Sequence, residues 1–345
     1  MMALRLGGWV LVLVLSLGVL GCASARPGEP LVRSGDEIVV AGQLFHTGTP
    51  VVLWMDPGGY DAYRVEDRFN ARGEHDWDAI KDDTDTPNRY GLRGERTMSD
   101  EDFERLRGGG WSLDELREKV DLFVIHYDVC GTSETCFDVL HDHRCLSVHF
   151  MLDIDGTIYQ TLDVKERAWH ASQANDRAIG IEIANIGAYP PNGNDTLAKW
   201  YAPDDSGRAR ITLPHARGDG GVRTDGFVGY PLRPEPVLGS IHGRALEMYD
   251  LTPEQYDALI KLTATLAEVF PNIPLTYPAD GLGRPRYDVL TEDEYASYQG
   301  LIGHYHLTAG KIDPGPAFQW EYVTEEARQL LGRRRVESRL TGGEE

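Results

Sequence analysis

Residues 147–163, with the sequence SVHFMLDIDGTIYQTLD, restrict the possible folds more than any other stretch of the chain. Two strand-like runs flank Asp155 and Gly156, and an Asp-Gly pair favours the tight turn of a β-hairpin. The runs at 121–128 (DLFVIHYD) and 178–185 (AIGIEIAN) are short and apolar, which is typical of buried strands. The middle of the chain therefore predicts a β-sheet that contains one hairpin.

Helix signals lie before and after these strands. Ser112 with Glu115, and Thr252 with Gln255, form capping boxes, and the second box opens a long amphipathic run. A shorter helix is predicted over 324–331. Strands that alternate with helices indicate an α/β protein. The sequence therefore predicts a mixed central β-sheet flanked by helices.

The N-terminus carries an apolar run from Leu6 to Leu20. This run is shorter than the roughly 20 residues that a transmembrane helix needs, and it fits a secretory signal peptide. Residues 19–22, VLGC, resemble a bacterial lipoprotein box, in which cleavage leaves Cys22 as a lipid-modified N-terminus. An ordinary signal peptide with a chance cysteine is the alternative. Because Ala23 and not Asp follows the cysteine, we expect a periplasmic lipoprotein anchored in the outer membrane.

Charge and cysteine content add two constraints. The formal net charge of −21 argues against a nucleic-acid ligand, because phosphate would be repelled. Besides Cys22, the chain has Cys130, Cys136 and Cys145, and an exported protein meets oxidising conditions that favour one disulfide and one remaining thiol. The nearest pair, Cys130 and Cys136, is preferred, but the sequence leaves all three pairings open.

Polar side chains are crowded into residues 301–318, LIGHYHLTAGKIDPGPAF, which begin and end apolar. An exposed loop is one interpretation. A metal site is the other, because zinc takes His nitrogen and Asp oxygen ligands. His304 and Asp313 would supply two ligands, and His126, at the end of a predicted strand, would supply a third. Lys311 lies two residues before Asp313, so both side chains point the same way in an extended segment, where a cation suits a developing oxyanion.

The remaining candidates are polar residues with two interpretations each. Glu182 lies between two small residues on one face of its predicted strand, which leaves space above the carboxylate, but an exposed surface glutamate has the same pattern. His126 by itself also fits a hydrogen-bonded core residue. His170 and Trp169 fit either a groove lining or simple packing, and the alternation around His149 does not reveal which face meets solvent.

Five blocks follow one another along the chain: VIH, SVHFMLDIDGTIYQTLD, AWHAS, IGIEIAN and GHYHLTAGKIDPGPAFQW. In this order they resemble the zinc-dependent N-acetylmuramoyl-L-alanine amidases of the amidase-2 family, which are related to peptidoglycan recognition proteins. The resemblance covers about residues 118–333. It implies a mixed β-sheet with flanking helices and a zinc ion at the edge of the sheet.

Carried over residue by residue, the resemblance makes His126, His304 and Asp313 the zinc ligands. Glu182 then matches the catalytic glutamate, and Lys311 matches the catalytic lysine two residues before the last ligand. The implied reaction is hydrolysis of the amide bond between N-acetylmuramic acid and L-alanine, with peptidoglycan or a muropeptide as the substrate. A protein that binds peptidoglycan on the same fold without cleaving it is the alternative, and the presence of all three ligand candidates favours the enzyme.

The resemblance also extends to the groove and to the cysteines. His170 falls in the block that it assigns to the lining of the substrate groove, and we also predict Trp169 and His149 to bind substrate. The stretch CGTSETC resembles the spaced cysteine pair of peptidoglycan recognition proteins, which favours a disulfide between Cys130 and Cys136.

Two departures from the family pattern concern spacing. Gly310 runs directly into Lys311, where many relatives have an additional Arg, so we expect Gly310 to absorb the strain of the shorter loop. The stretch from Glu182 to His304 is also longer than usual.

These features divide the chain into segments. We predict a lipoprotein signal peptide over 1–21, a tether with a small β/helical extension of unknown role over 22–117, a catalytic amidase domain over 118–333 and a loose tail over 334–345. A Gly/Pro-rich stretch without strong periodicity, at about 186–250, is predicted to be a long inserted loop region.

Overall fold

The computed structural model describes residues 26–64, 68–69, 89–107, 110–191 and 195–341. The predicted signal peptide over 1–21 and the predicted lipidation site Cys22 lie outside these residues. The described residues from Ser34 onward belong to one compact unit, and the described residues before Ser34 belong to another. None of the described helices is both long enough and apolar enough to span a lipid bilayer.

Short strands are spread over the whole described chain. In chain order they are β1 (Glu37–Val40), β2 (Gln43–His46), β3 (Val51–Leu53), β4 (Tyr90–Leu92), β5 (Leu122–Tyr127), β6 (Phe150–Leu152), β7 (Ile158–Gln160), β8 (Glu166–Ala168), β9 (Ala178–Ile183), β10 (Tyr201–Pro203), β11 (Ala209–Ile211), β12 (Val237–Ile241), β13 (Arg244–Met248) and β14 (Gly300–Gly303).

The helices lie between these strands and after them. The α-helices of the described residues are α1 (Asp100–Leu106), α2 (Leu113–Lys119), α3 (Ser133–Phe137), α4 (Asp195–Trp200), α5 (Pro253–Val269), α6 (Glu292–Ser297), α7 (His304–Leu307) and α8 (Trp320–Thr341). A π-helix continues α3 over Asp138–His143, and short 3-10 helices lie at Glu95–Thr97, Ser172–Ala174 and His215–Arg217.

Six strands form the central sheet in the spatial order β14-β5-β9-β6-β7-β3. The β6–β7 hairpin is antiparallel, and the other neighbouring pairs are parallel. Gly156 makes the hairpin turn with a φ of 83°, a conformation that suits glycine because a β-carbon is disfavoured there. The predicted mixed central sheet with flanking helices is therefore confirmed.

Long helices close one side of the sheet. Leu259, Leu262 and Leu266 of α5 are fully buried in the same hydrophobic cluster as Phe123 of β5, and α8 packs against α5. Each such leucine contributes roughly 1.5–3 kcal/mol when it leaves water. Thr252 forms the predicted capping box at the start of α5. This layer fixes the strands from one face and leaves their carboxyl ends accessible.

The N-terminal extension is built into the same unit. β3 pairs with β7 at the edge of the central sheet, and β4 pairs with β8. Leu106 of α1 and Trp111 are buried in the main hydrophobic cluster. The predicted boundary at residue 117 therefore does not separate two units. Strands of three residues carry too little periodicity to reveal this connection in the sequence.

The stretch at 186–250 contains regular structure and not the predicted long loop. α4 leads into the β10–β11 hairpin, and β12 and β13 form a second hairpin. Tyr189 forms a bridge to Glu247 of β13, which ties the start of the stretch to its end. The end of the chain differs as well, because α8 continues to Thr341 through residues predicted to be loose.

Candidate metal centre

Three neighbouring parallel strands end at the same edge of the central sheet. His126 lies near the end of β5, Glu182 lies in register with it on β9, and His304 follows β14 directly. Because the carboxyl ends of parallel strands share one edge, the topology itself brings these residues together. Asp313 reaches the same place because its backbone oxygen accepts the N–H of Tyr305 at 3.1 Å.

His126, His304 and Asp313 form the buried centre of this edge. Asp313 Oδ2 lies 2.9 Å from His126 Nδ1 and 3.1 Å from His304 Nδ1. All three side chains are buried, and their possible ligand atoms lie within 4.8 Å of one another. The structure thus brings together the three residues that the sequence predicts as ligands.

Burial controls the protonation of this cluster. Loss of solvent, together with the nearby His304, lowers the pKa of His126 to about 4, so its ring is neutral at pH 7. Burial raises the pKa of Asp313, but the hydrogen bonds with His126 and His304 outweigh it and hold that pKa well below its usual range. A neutral imidazole and an ionised carboxylate are the forms that bind metal ions.

The donor set suits a divalent ion with tetrahedral preference. Imidazole nitrogens and a carboxylate oxygen are typical ligands of catalytic zinc sites, which keep one position for water or substrate. Zinc bonds of about 2.0–2.2 Å place tetrahedral ligand atoms roughly 3.3 Å apart. The separations of 2.9 and 3.1 Å to Asp313 are close to this value. The residues present therefore fit a metal ion.

His170 supports the outer side of the cluster. Its Nδ1 lies 3.1 Å from Nε2 of His126, the nitrogen that does not face Asp313. The His170 ring also lies against Gly180 of β9. A hydrogen bond to the outer nitrogen of a ligating histidine orients the ring and fixes its tautomer. His170 thus holds His126 in position, and it also lines the cleft above the cluster.

Glu182 faces the same cleft from β9 and is only 9% exposed. Burial raises its pKa well above the usual range, and the charges of Asp313 and Asp128 raise it further, whereas Lys311 lowers it. A carboxyl group with a raised pKa is suited to general acid–base chemistry. The interpretation of Glu182 as an exposed surface residue does not agree with its burial.

Lys311 lines the cleft, and its charge acts on both His126 and Glu182. The positive φ of 85° in this segment falls at Gly315, which comes after Asp313 and so lies outside the shortened loop. Gly310 has no positive φ, and the expectation that it absorbs the strain of the loop stays a prediction.

His149 does not line the cleft, which corrects its predicted role in substrate binding. It is fully buried, its Nδ1 accepts the N–H of Gly180 at 3.1 Å, and its Nε2 lies 3.0 Å from both the Glu166 carbonyl oxygen and the Arg93 guanidinium. Burial and the Arg93 charge lower the pKa of His149 to about 3. Its ring joins β9 to β8, whereas Trp169 does line the cleft.

Cys130 and Cys136 are free thiols in the structure, which differs from the predicted disulfide. They are neighbours, since a hydrogen bond with Cys130 is the main cause that raises the pKa of Cys136. Hydrogen-bonded thiols keep their sulfur atoms farther apart than the roughly 2.05 Å of a disulfide. The disulfide itself stays a prediction, and Cys145 is an exposed thiol.

The cleft has a volume of about 740 Å³ and includes residues that the sequence analysis missed. Arg96 from the extension lies on its wall, as do Arg144 and Arg167. Asp128 also lines it, and its position at the end of the strand that carries His126 was a usable signal. Arg96 gave no such signal, because the extension has no counterpart in the five blocks.

Comparisons with known proteins agree with the motifs. A family model described as Amidase_2, N-acetylmuramoyl-L-alanine amidase, matches residues 116–316. No curated protein sequence matches the chain.

Solved structures similar to this chain include amidases. A selenomethionine derivative of AmpD has 18% identity over 69% of this chain and 90% of its own, with a TM-score of 0.32. AmiD from E. coli, in complex with anhydro-N-acetylmuramic acid-L-Ala-D-γ-Glu-L-Lys, has 18% identity over 60% of this chain and 57% of its own, with a TM-score of 0.35. The endolysin LysCS from Clostridium intestinale URNW has 16% identity over 62% of this chain and 86% of its own, with a TM-score of 0.33.

The family match extends over 201 of the 345 residues, from 116 to 316, and includes the whole of the His126, His304 and Asp313 cluster. With more than half of its length matched, the chain belongs to the N-acetylmuramoyl-L-alanine amidase family known as Amidase_2.

Proposed function

We propose that this amidase hydrolyses the amide bond between N-acetylmuramic acid and L-alanine of peptidoglycan in a zinc-dependent reaction. The observation that carries the proposal is the buried convergence of His126, His304 and Asp313 within 4.8 Å, with Glu182 in register beside His126. We further propose that this chain acts on the same class of substrate as the one bound to AmiD, so that it cleaves muropeptides carrying an L-Ala-γ-D-Glu stem.

Each residue of the centre has a role in the proposed reaction. His126, His304 and Asp313 would hold zinc, which supplies a Lewis acid for the scissile carbonyl and for the attacking water. The Glu182 carboxylate takes a proton from that water as its oxygen bonds to the carbonyl carbon. When the carbon–nitrogen bond breaks, Glu182 returns the proton to the departing amine of L-alanine. The Lys311 ammonium group stabilises the negative oxygen of the tetrahedral intermediate.

We also propose a location for the reaction. Signal-peptide cleavage before Cys22 would leave a lipid-anchored protein in the periplasm, attached to the outer membrane and facing the peptidoglycan. Mass spectrometry of the mature N-terminus tests this directly, because a diacylated Cys22 is expected. A Cys22→Ala variant should leave the membrane fraction, and an unmodified Cys22 on a membrane-free wild type would contradict the proposed anchor.

Release of stem peptides from purified sacculi tests the activity. Treatment with a chelator should abolish release, and added zinc should restore it. Glu182→Gln should retain zinc but lose about 10²–10⁴-fold in turnover, the usual contribution of a general acid–base group. A metal-loaded wild type that binds sacculi and releases nothing would support the alternative of a non-catalytic binding protein.

The assignment of His304 as a zinc ligand has a matched control in His306, two residues further along the chain. His304→Ala should lose zinc in elemental analysis, whereas His306→Ala should keep it. His306 is engaged elsewhere, because its Nδ1 accepts the N–H of Gly303 at 2.9 Å and its Nε2 lies 3.0 Å from the Arg286 carbonyl oxygen. Full zinc content in His304→Ala would refute the assignment.

A further inference from the structure

The cleft beside the metal centre is rich in cations although the protein as a whole is acidic. The chain has a formal net charge of −21. Four basic side chains nevertheless line this one cleft: Arg96, Arg144, Arg167 and Lys311. The acidic residues that line it are Glu182 and Asp313 at the centre, together with Asp128 and Asp176. Basic and acidic side chains thus line the cleft in equal number, in contrast to the acidic excess of the whole chain. A cation of this cleft that has no acidic partner attracts an anionic ligand.

Two of the four cations are available to a ligand. Arg167 is engaged, because its Nε lies 2.8 Å from Asp176 Oδ1, and Lys311 belongs to the proposed chemistry. Arg96 and Arg144 are exposed and make no hydrogen bond or ion pair with any residue that the structure describes. An exposed guanidinium group without such a partner binds a carboxylate through two parallel hydrogen bonds.

The extension holds Arg96 at the cleft. β4 pairs with β8, whose end leads to His170, and the N–H of Gly94 donates to Asp176 Oδ1 at 2.7 Å. The neighbouring Arg93 is fully buried and donates to the carbonyl oxygens of Val164 and Ala178, each at 2.9 Å. These contacts fix the position of the segment that carries Arg96.

A smaller cleft of about 300 Å³ adjoins the first, and Lys311 and Asp313 line both clefts. Its wall includes the apolar residues Ile186 and Ile312, and its described lining residues include no arginine. Both clefts are within reach of a substrate whose scissile bond lies at the centre, because Lys311 and Asp313 line both of them. The part that carries carboxylates therefore fits the side of Arg96 and Arg144.

We propose that Arg96 and Arg144 bind the free carboxylates of the peptidoglycan stem peptide and make the enzyme selective for acidic muropeptides. This inference rests on the proposed function. In an L-Ala-γ-D-Glu-L-Lys stem the γ-linkage leaves the α-carboxylate of glutamate free, and lysine ends in a second carboxylate. Two unpaired arginines thus face a stem with two anionic groups.

Steady-state kinetics on the full-length mature protein with zinc test this proposal. The two probes are N-acetylmuramoyl-L-Ala-γ-D-Glu-L-Lys and its derivative with both carboxylates amidated. Arg96→Gln and Arg144→Gln should each raise KM for the acidic probe about 3–10-fold, as expected for partly exposed charge pairs, with kcat within about 2-fold. KM for the amidated probe should not change, which separates a lost contact from a damaged fold.

Arg208→Gln is the matched control, because Arg208 is exposed and stacks on Tyr230 away from the cleft. It removes the same charge and should leave both KM values unchanged. The wild type should prefer the acidic probe, and this preference should weaken with salt because surface charge pairs are screened. Equal KM values for the two probes in the wild type, or arginine variants that lower kcat alone, would overturn the proposal.

Calorimetric binding to Glu182→Gln separates this proposal from the proposed function. If the metal-loaded wild type cleaves neither probe, the proposed function fails, but binding still decides the role of the arginines. Tighter binding of the acidic probe, lost in the Arg96→Gln and Arg144→Gln backgrounds, supports the carboxylate site. Equal binding of both probes refutes it even if cleavage is observed.

Discussion

A single methyl group at Gly180 should weaken the metal centre without touching a ligand. Gly180 lies in the middle of β9, paired with Val124 of β5, so its backbone has little freedom to move. A β-carbon there would lie 2.5 Å from the Cε1 and Nδ1 atoms of His170 and 2.7 Å from its Nε2. Gly180→Ala therefore forces the His170 ring away from the strand.

The size of the effect follows from these distances. Carbon atoms in contact are separated by about 3.5–4.0 Å, so the ring must retreat by roughly 1 Å. The 3.1 Å hydrogen bond between His170 and His126 then lengthens to about 4 Å, beyond hydrogen-bonding range. Loss of such a partner typically lowers metal affinity about 10–100-fold. Overpacking should also reduce the free energy of unfolding by about 1–3 kcal/mol.

Competition with a chromophoric chelator measures the zinc affinity, and thermal unfolding measures the stability. Gly281→Ala is the control, because a β-carbon at Gly281 meets no atom within 4 Å. The decisive comparison is a double-mutant cycle with His170→Ala, in which the ring that the new methyl group displaces is absent. Gly180→Ala should then cost no further zinc affinity. An undiminished loss in that background, or wild-type affinity in Gly180→Ala, would refute the reasoning.

Three further perturbations test the chemistry and the stability of the fold. Lys311→Ala should lower kcat by about 10²–10³-fold with little change in KM, as for a lost oxyanion donor; a change confined to KM would make Lys311 a substrate contact. Val129, half exposed with a φ of 57°, is strained because β-branched residues disfavour that region, so Val129→Asn should raise the free energy of unfolding by roughly 1 kcal/mol in denaturant titrations. Burial raises the pKa of Asp153 to about 8, so the folded state holds a proton that the unfolded state releases near pH 4, and stability falls as pH rises from about 4 to about 8. Asp153→Asn should remove this fall and gain up to about 5 kcal/mol at pH 8; equal pH profiles for wild type and variant would contradict the shift.

The cluster of His126, His304 and Asp313 could be predicted because its residues lie where sequence patterns are strongest. His126 and Glu182 end or interrupt apolar runs that become interior parallel strands, and His304 follows β14, a parallel strand at the edge of the same sheet. The carboxyl ends of these strands meet at one edge. The positions of these residues at or near strand ends therefore predicted that their side chains lie close together in the fold.

His149 shows where the same pattern fails. Alternation places it and Phe150 on opposite faces of a strand. Both residues are fully buried, because the central strands of a mostly parallel sheet are covered on both sides. Opposite side-chain directions therefore do not identify a solvent-exposed residue when both faces of the strand are buried. The contact with Arg93, 56 residues earlier in the chain, was beyond the reach of any local pattern.

Residues outside the family match contribute both to the cleft and to the support of the His170 loop. The match begins at residue 116, whereas β3, β4 and Arg96 come earlier. Arg93 donates to backbone oxygens of residues on both sides of the His170 loop, and those oxygens would lose buried hydrogen bonds if the extension were absent. The extension therefore supports the loop that bears His170 and also supplies Arg96 of the cleft. The same short segment thus carries Arg96 of the cleft and Arg93, whose hydrogen bonds hold both sides of the loop that bears His170.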